Sequence, residues 1–146
     1  MKTNNFNIGI AVIVSLGGFL FGFDAAIIAG VVESVESLFN LDVHQKGWVV
    51  SSPSFSAMFA MFVAGALANK IGRKQVLLIV AFLYALSAIM SAYANSYEML
   101  YIARMIGGVA FGSALILAPM YIAEISSAEN RGKMVSVQQM NIVLGF

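Results

Sequence analysis

Two stretches of this chain, Trp48–Ala68 and Val76–Ala94, run for about twenty residues each without one charged side chain. A segment that long and that apolar satisfies its own backbone as a helix and crosses the hydrocarbon core of a bilayer. Two further stretches, Ile8–Val32 and Met99–Ala123, are as apolar and hold one charge apiece, Asp24 and Arg104. A fifth opens near Met134 and runs to Phe146, the last residue, which is too short to cross. The runs are continuous. Barrel strands would alternate apolar and polar residues over about ten positions. The expected fold class is therefore an all-α membrane protein with helices over about 8–32, 48–68, 76–94, 99–123 and 134–146. Composition agrees: 60% of residues are hydrophobic and 10% charged, where a soluble domain carries about 25% charged residues. Disorder is excluded by the same figures.

The composition also removes several functions. Net charge is +1, so no basic surface is available for nucleic acid. Cysteine is absent, and with it disulfides, thiolate metal sites and a thiol nucleophile. No Ser/His/Asp constellation, histidine cluster or P-loop is present, so neither an enzyme nor a metal or organic cofactor is expected. His44 reads as an ordinary loop histidine, and the nine methionines as gap-fillers between helices and lipid. The first stretch is too long for the core of a signal peptide, contains an acid and lacks a cleavage site, so it reads as a retained helix.

Orientation follows from the connections. If the chain crosses at each span, Lys2, Lys70, Arg73, Lys74, Arg131 and Lys133 fall on one side. Lys46 falls on the other with Glu33, Glu36, Asp42 and Glu98. The positive-inside rule places the basic side, and the N-terminus, in the cytoplasm. The longest connection, Glu33 to Gly47, is then external and acidic.

Asp24 and Arg104 carry the chemistry. A charge at mid-helix costs about 2.5–3.5 kcal/mol on insertion scales, so it faces a cavity or a partner. Counting from the span ends, Asp24 lies roughly 12 Å deep and Arg104 roughly 8 Å deep, both in the outer half. They are expected to pair or to share a water-filled cavity. A carboxyl out of water holds its proton, and a guanidinium beside it favours the anion. A movable arginine would switch one group between the two, which makes a proton carrier. The alternative is a static ion pair that fixes packing. Gly17, Phe21, Asp24 and Ile28 share one helical face, and Arg104, Gly108 and Gly112 share another.

Span five opens with Ser136, Gln138, Gln139 and Asn141. A glutamine near mid-membrane suits a polyhydroxyl ligand, or an interhelical hydrogen bond. The residues alone do not choose between Gln138 and Gln139. Gly17-Gly18-Phe19-Leu20-Phe21-Gly22 echoes Gly107-Gly108-Val109-Ala110-Phe111-Gly112 in the oppositely directed span four, as an inverted three-helix repeat would. Small-residue packing gives the same pattern.

Three motifs resemble a known family. Gly65-Ala66-Leu67-Ala68-Asn69-Lys70-Ile71-Gly72-Arg73-Lys74 resembles the loop between helices two and three of the major facilitator superfamily, usually Gly-x-Leu-Ala-Asp-x-x-Gly-Arg-Lys/Arg. Gly108, Gly112, Tyr121, Glu124 and Arg131 stand at the spacing of its sugar porter signature, with Pro119-Met120-Tyr121-Ile122-Ala123-Glu124 and Arg131-Gly132 the most specific part. Phe21-Gly22-Phe23-Asp24 resembles the family's Phe-Gly-Tyr-Asp.

The resemblance implies a twelve-helix transporter in two halves that moves a monosaccharide by alternating access. The chain would be the incomplete N-terminal half, with the C-terminal half missing. It implies that Asp24 and Arg104 couple a proton, which points to proton–sugar symport in a bacterial-type inner membrane. It assigns sugar contact to Gln139, not Gln138, and to Phe21. Gly65, Gly72, Arg73, Lys74, Glu124 and Arg131 would form the cytoplasmic gate, in which Arg73, Glu124 and Arg131 make salt bridges. Asn69 departs from the family's Asp, removing a charge from that gate. A facilitative uniporter and a non-transporting membrane sensor or remnant remain as alternatives.

Overall fold

A computed structural model describes the backbone of residues 5–146 and the side chains of residues 9–146. Lys2 lies outside the described residues. The chain forms α1 (Asn5–Phe39), α2 (Val43–Ile71), α3 (Arg73–Ala92), α4 (Tyr97–Ile125) and α5 (Arg131–Gly145). Four of these helices are long and apolar enough to cross a membrane; α5, at 15 residues, is shorter.

The first connection is a correction. The loop expected over Glu33–Gly47 shrinks to residues 40–42, because α1 continues to Phe39 and α2 starts at Val43. The polar residues of this stretch do not break the helix, since it is held by packing beyond the apolar span. Val35, Phe39 and Ile28 pack with Tyr97 and Ala94 around the buried Leu41, Val49 and Leu100. Lys46 pairs with Glu36 across the turn at 2.6 Å, and the Gln45 side chain accepts from the Asp42 N–H at 3.1 Å. His44 is exposed in the first turn of α2.

At the opposite, basic end, α2 passes into α3 through Gly72 alone, at φ 93° and ψ 145°. That combination suits only glycine. At the head of α4, the Ser96 hydroxyl accepts from the Met99 N–H at 3.2 Å, filling one orphan donor of the helix start.

α4 is the centre of the bundle, with Ala103, Ala110, Leu117 and Ile122 fully buried. α2, α3 and α1 all pack on it, and α5 packs mainly on α1. The main core cluster joins Ala64 and Ala68 of α2, Val76 and Val80 of α3, and Ala110 and Leu117 of α4. Outward faces are apolar: Phe62, Phe82 and Leu78 are more than 60% exposed, as lipid contact allows and water does not.

The sequence echo has a structural counterpart. Gly18 and Gly22 of α1 leave room for Gln138, Ile142 and Gly145 of α5, while Gly108 and Gly112 of α4 leave room for Pro53, Ser56 and Ala57 of α2. The third member of each motif is an aromatic ring, and the two rings meet: Phe21 and Phe111 lie 4.6 Å apart between centroids at 35°. Exchanging α1 with α4 and α5 with α2 maps one set of contacts onto the other, as an inverted repeat requires.

Candidate functional site

Asp24 and Arg104 meet in the interior of the bundle. Arg104 Nη1 donates to Asp24 Oδ1 at 2.7 Å. The Arg104 side chain is 10% exposed and that of Asp24 30%. Taking a guanidinium out of water is costly unless a carboxylate compensates it, so the pair explains how both charges are tolerated at this depth. Arg104 Nε is buried without a hydrogen-bond partner among the described residues. The arginine therefore keeps this buried donor unused.

The pair opens on a cavity of about 290 Å³ lined by Phe21, Ile28, Pro53, Ser54 and Phe111 beside the two charges. Its walls are aromatic and aliphatic, with one acid, one base and one hydroxyl converging on them. Few polar groups on an apolar wall is the composition of a small-molecule site. Phe21 sits on this wall, held by Phe111.

The glutamines of α5 separate. Gln138 is 3% exposed, faces α1 beside Gly18, and its amide oxygen has no partner among the described residues. Gln139 is exposed on another face of α5 and lines neither cavity described here. Asn141 donates to Ser15 Oγ at 2.7 Å and ties α5 to α1.

At the basic end, Arg73 Nε and Glu124 Oε1 stand 3.0 Å apart, both partly exposed. The contact is an ion pair by distance but not a hydrogen bond by alignment, which leaves Arg73 Nε without a hydrogen-bond partner. Arg131 opens α5 with its side chain exposed and joins no ion pair among the described residues. The structure thus brings together two of the three salt-bridge residues and leaves Arg131 apart. Gly65 meets no neighbour within 4 Å of the place a side chain would take, so packing does not require a glycine there. Lys74 lines a larger groove of about 660 Å³ between α1, α3 and α4, whose walls include Ile13, Leu20, Leu77 and Tyr84.

Several polar links were not anticipated from the sequence. The Tyr84 hydroxyl donates to Leu20 O at 2.9 Å, joining α3 to α1. Ser56 and Ser87 donate to carbonyls of α4. A hydroxyl inside a charge-free stretch was the only signal available for each.

The comparisons with known proteins bear on this arrangement. The family described as "Sugar (and other) transporter" matches residues 10–146. The chain belongs to that family. It is 38% identical over 144 residues to the arabinose-proton symporter of Escherichia coli K12, covering 99% of this chain and 30% of that protein. The galactose-proton symporter of the same strain is 37% identical over 137 residues, covering 94% and 30%. Among solved structures, a major facilitator proton:xylose symporter bound to 6-bromo-6-deoxy-D-glucose matches with a TM-score of 0.87 and 34% identity, covering 97% of this chain and 36% of that one. The chain spans about a third or less of the length of these relatives. It is a multi-pass, all-α membrane protein with the major facilitator fold.

Proposed function

We propose that this chain is part of a transporter that carries a monosaccharide by alternating access, coupled to the inward movement of protons. The observation that supports this most is the Asp24–Arg104 pair on the wall of an apolar cavity inside a membrane bundle. A static staple would need no cavity and no unused donor on the arginine. Here the carboxylate is 30% exposed, so a proton can reach it. Protonation neutralises Asp24, weakens its hold on Arg104 and frees the guanidinium for another acceptor. Loss of the proton restores the pair. The relatives named as arabinose-, galactose- and xylose-proton symporters support the same reading.

In this reading Phe21 supplies an apolar surface for the sugar ring, and Gln139 supplies amide donors and acceptors from a face of α5 that the present helices leave open. Arg73 and Glu124 brace the basic end, and Arg131, Lys74, Gly65 and Gly72 complete the gate there. That end faces the cytoplasm of a cell bounded by a bacterial-type inner membrane, with the N-terminus on the same side. The outward apolar faces meet lipid and the remaining helices of the transporter.

Uptake of labelled arabinose, xylose and galactose by the full-length protein in proteoliposomes tests the proposal. Concentrative uptake under an inward proton gradient, collapsed by an uncoupler, is the expected result. Uptake that equilibrates and ignores the uncoupler would establish a uniporter instead. Absence of uptake for every sugar would remove the transport reading.

A further inference from the structure

A serine inside a helix ordinarily bonds the carbonyl three or four residues back in its own helix. Ser15, Ser37, Ser51, Ser113 and Ser136 all do so, on Val12, Ser34, Gly47, Val109 and Gly132. Ser56 and Ser87 reach further. Ser56 Oγ, from α2, donates to Met105 O at 2.9 Å while keeping Pro53 O at 3.1 Å. Ser87 Oγ, from α3, donates to Ala103 O at 2.7 Å. Both hydroxyls are buried. The two carbonyls they hold flank one residue, Arg104.

Consecutive glycines make these bonds possible. A side chain at Gly107 would lie 2.6 Å from Ser87 Oγ, and one at Gly108 would land on Ser56 Oγ and the Pro53 backbone. Each serine therefore sits in a notch that a missing Cβ leaves on α4. Two helices grip the α4 backbone on either side of the arginine, one hydroxyl each.

We propose that Ser56 and Ser87 are positioning residues for Arg104, fixing the height and rotation at which its guanidinium meets Asp24. The proposal rests on the coupling role given to that pair above. Among the described residues, the charged and titratable groups facing Asp24 are Arg104 of α4 and Tyr84 of α3. Of the α2 residues that line the cavity, Val50, Pro53 and Ser54, none is charged, and the charged residues of α5, Arg131 and Lys133, stand at its basic end. Among the described residues, Arg104 is thus the charge in contact with Asp24. Loosening the grip weakens the pair and lets a proton compete better for the carboxylate.

The test uses the full-length protein in liposomes. Titration of Asp24 is followed by the infrared stretch of its protonated carboxyl, assigned by difference against Asp24→Asn. The double variant Ser56→Ala/Ser87→Ala is expected to move the midpoint upward by about one pH unit, equivalent to a tenfold change in proton affinity. The pH profile of uptake should shift the same way. Gly107→Ala, which fills the notch and leaves every hydroxyl in place, should move the midpoint in the same direction, and it serves if the double variant fails to reach the membrane. Ser113→Ala removes an equally buried hydroxyl that bonds only its own helix, and should move nothing. An unmoved midpoint in both the double variant and Gly107→Ala would overturn the proposal, as would an equal shift in Ser113→Ala. If the infrared midpoint shifts while Asp24→Asn still shows proton-dependent uptake, the positioning role stands and the coupling role falls. If Asp24→Asn abolishes proton dependence and the midpoint stays put, the reverse holds.

Discussion

Arg73 and Glu124 face each other 3.0 Å apart, and each stands at the end of its helix that least favours its charge. Arg73 is the first residue of α3, where the helix dipole is positive, and Glu124 lies in the last turn of α4, where it is negative. Mutual pairing offsets the two unfavourable placements. Contact between the helices, not the preference of either one, accounts for the arrangement.

A charge swap follows from this. Arg73→Glu with Glu124→Arg keeps the pair and places both charges favourably toward the dipoles. Thermal unfolding in detergent should show the swapped protein at least as stable as the parent, with each single variant below it. The pair is partly exposed, so these differences stay within about 1 kcal/mol. A swapped protein whose change in stability equals the sum of the two single changes would show that the residues do not interact.

Asp24→Asn should abolish accumulation of sugar against a gradient while leaving counterflow exchange intact. Comparing concentrative uptake with exchange in the same vesicles separates the two. Proton-dependent accumulation that survives this substitution would remove Asp24 from the coupling step.

Arg104→Ala should damage stability more than Asp24→Asn does. It leaves a carboxylate inside the membrane without its counter-charge, a loss of about 3–5 kcal/mol for a fully buried pair and less here because Asp24 is partly open. Asp24→Asn combined with Arg104→Met should recover much of the unfolding temperature without restoring accumulation. A double-mutant cycle on unfolding reads the coupling directly.

Glycines at equivalent places in the family motifs should respond differently. Gly72→Ala forces a side chain into backbone at φ 93° and should cost about 1–3 kcal/mol. Gly112→Val drives carbon into the Ala57 backbone of α2 and should cost at least as much. Gly65→Ala meets open space inside α2 and should leave the unfolding temperature unchanged or raise it, since alanine is favoured over glycine in a helix by up to about 1 kcal/mol. Unfolding curves of the three variants, measured side by side, check the order.

Much of this architecture is legible in the chain. Charge-free runs locate the membrane helices because lipid tolerates little else, and a lone acid and a lone base inside such runs announce each other. Helix ends are less legible. Glu33, Ser34 and Glu36 look like a loop because they are polar, yet polarity marks the edge of the bilayer and not the edge of the helix. Gln138 and Gln139 differ by one residue, or about 100° of helical rotation, and only the position of α1 decides which is buried. Ser87 reads as one hydroxyl among apolar neighbours. Its bond to Ala103 depends on a notch in another helix, which no local pattern encodes. Arg131 falls into its family motif by spacing, but spacing does not fix where a long exposed side chain reaches.

The sequence separation of 80 between Asp24 and Arg104 has a bearing on how the protein is made. At about 5–20 residues per second the ribosome needs roughly 4 to 16 seconds to supply the second after the first. During that interval the nascent first helix carries an acid with no counter-ion. On insertion scales an acid at a helix centre costs about 2.5–3.5 kcal/mol, a cost the early helix bears alone until the fourth arrives, so the late helix completes the early one.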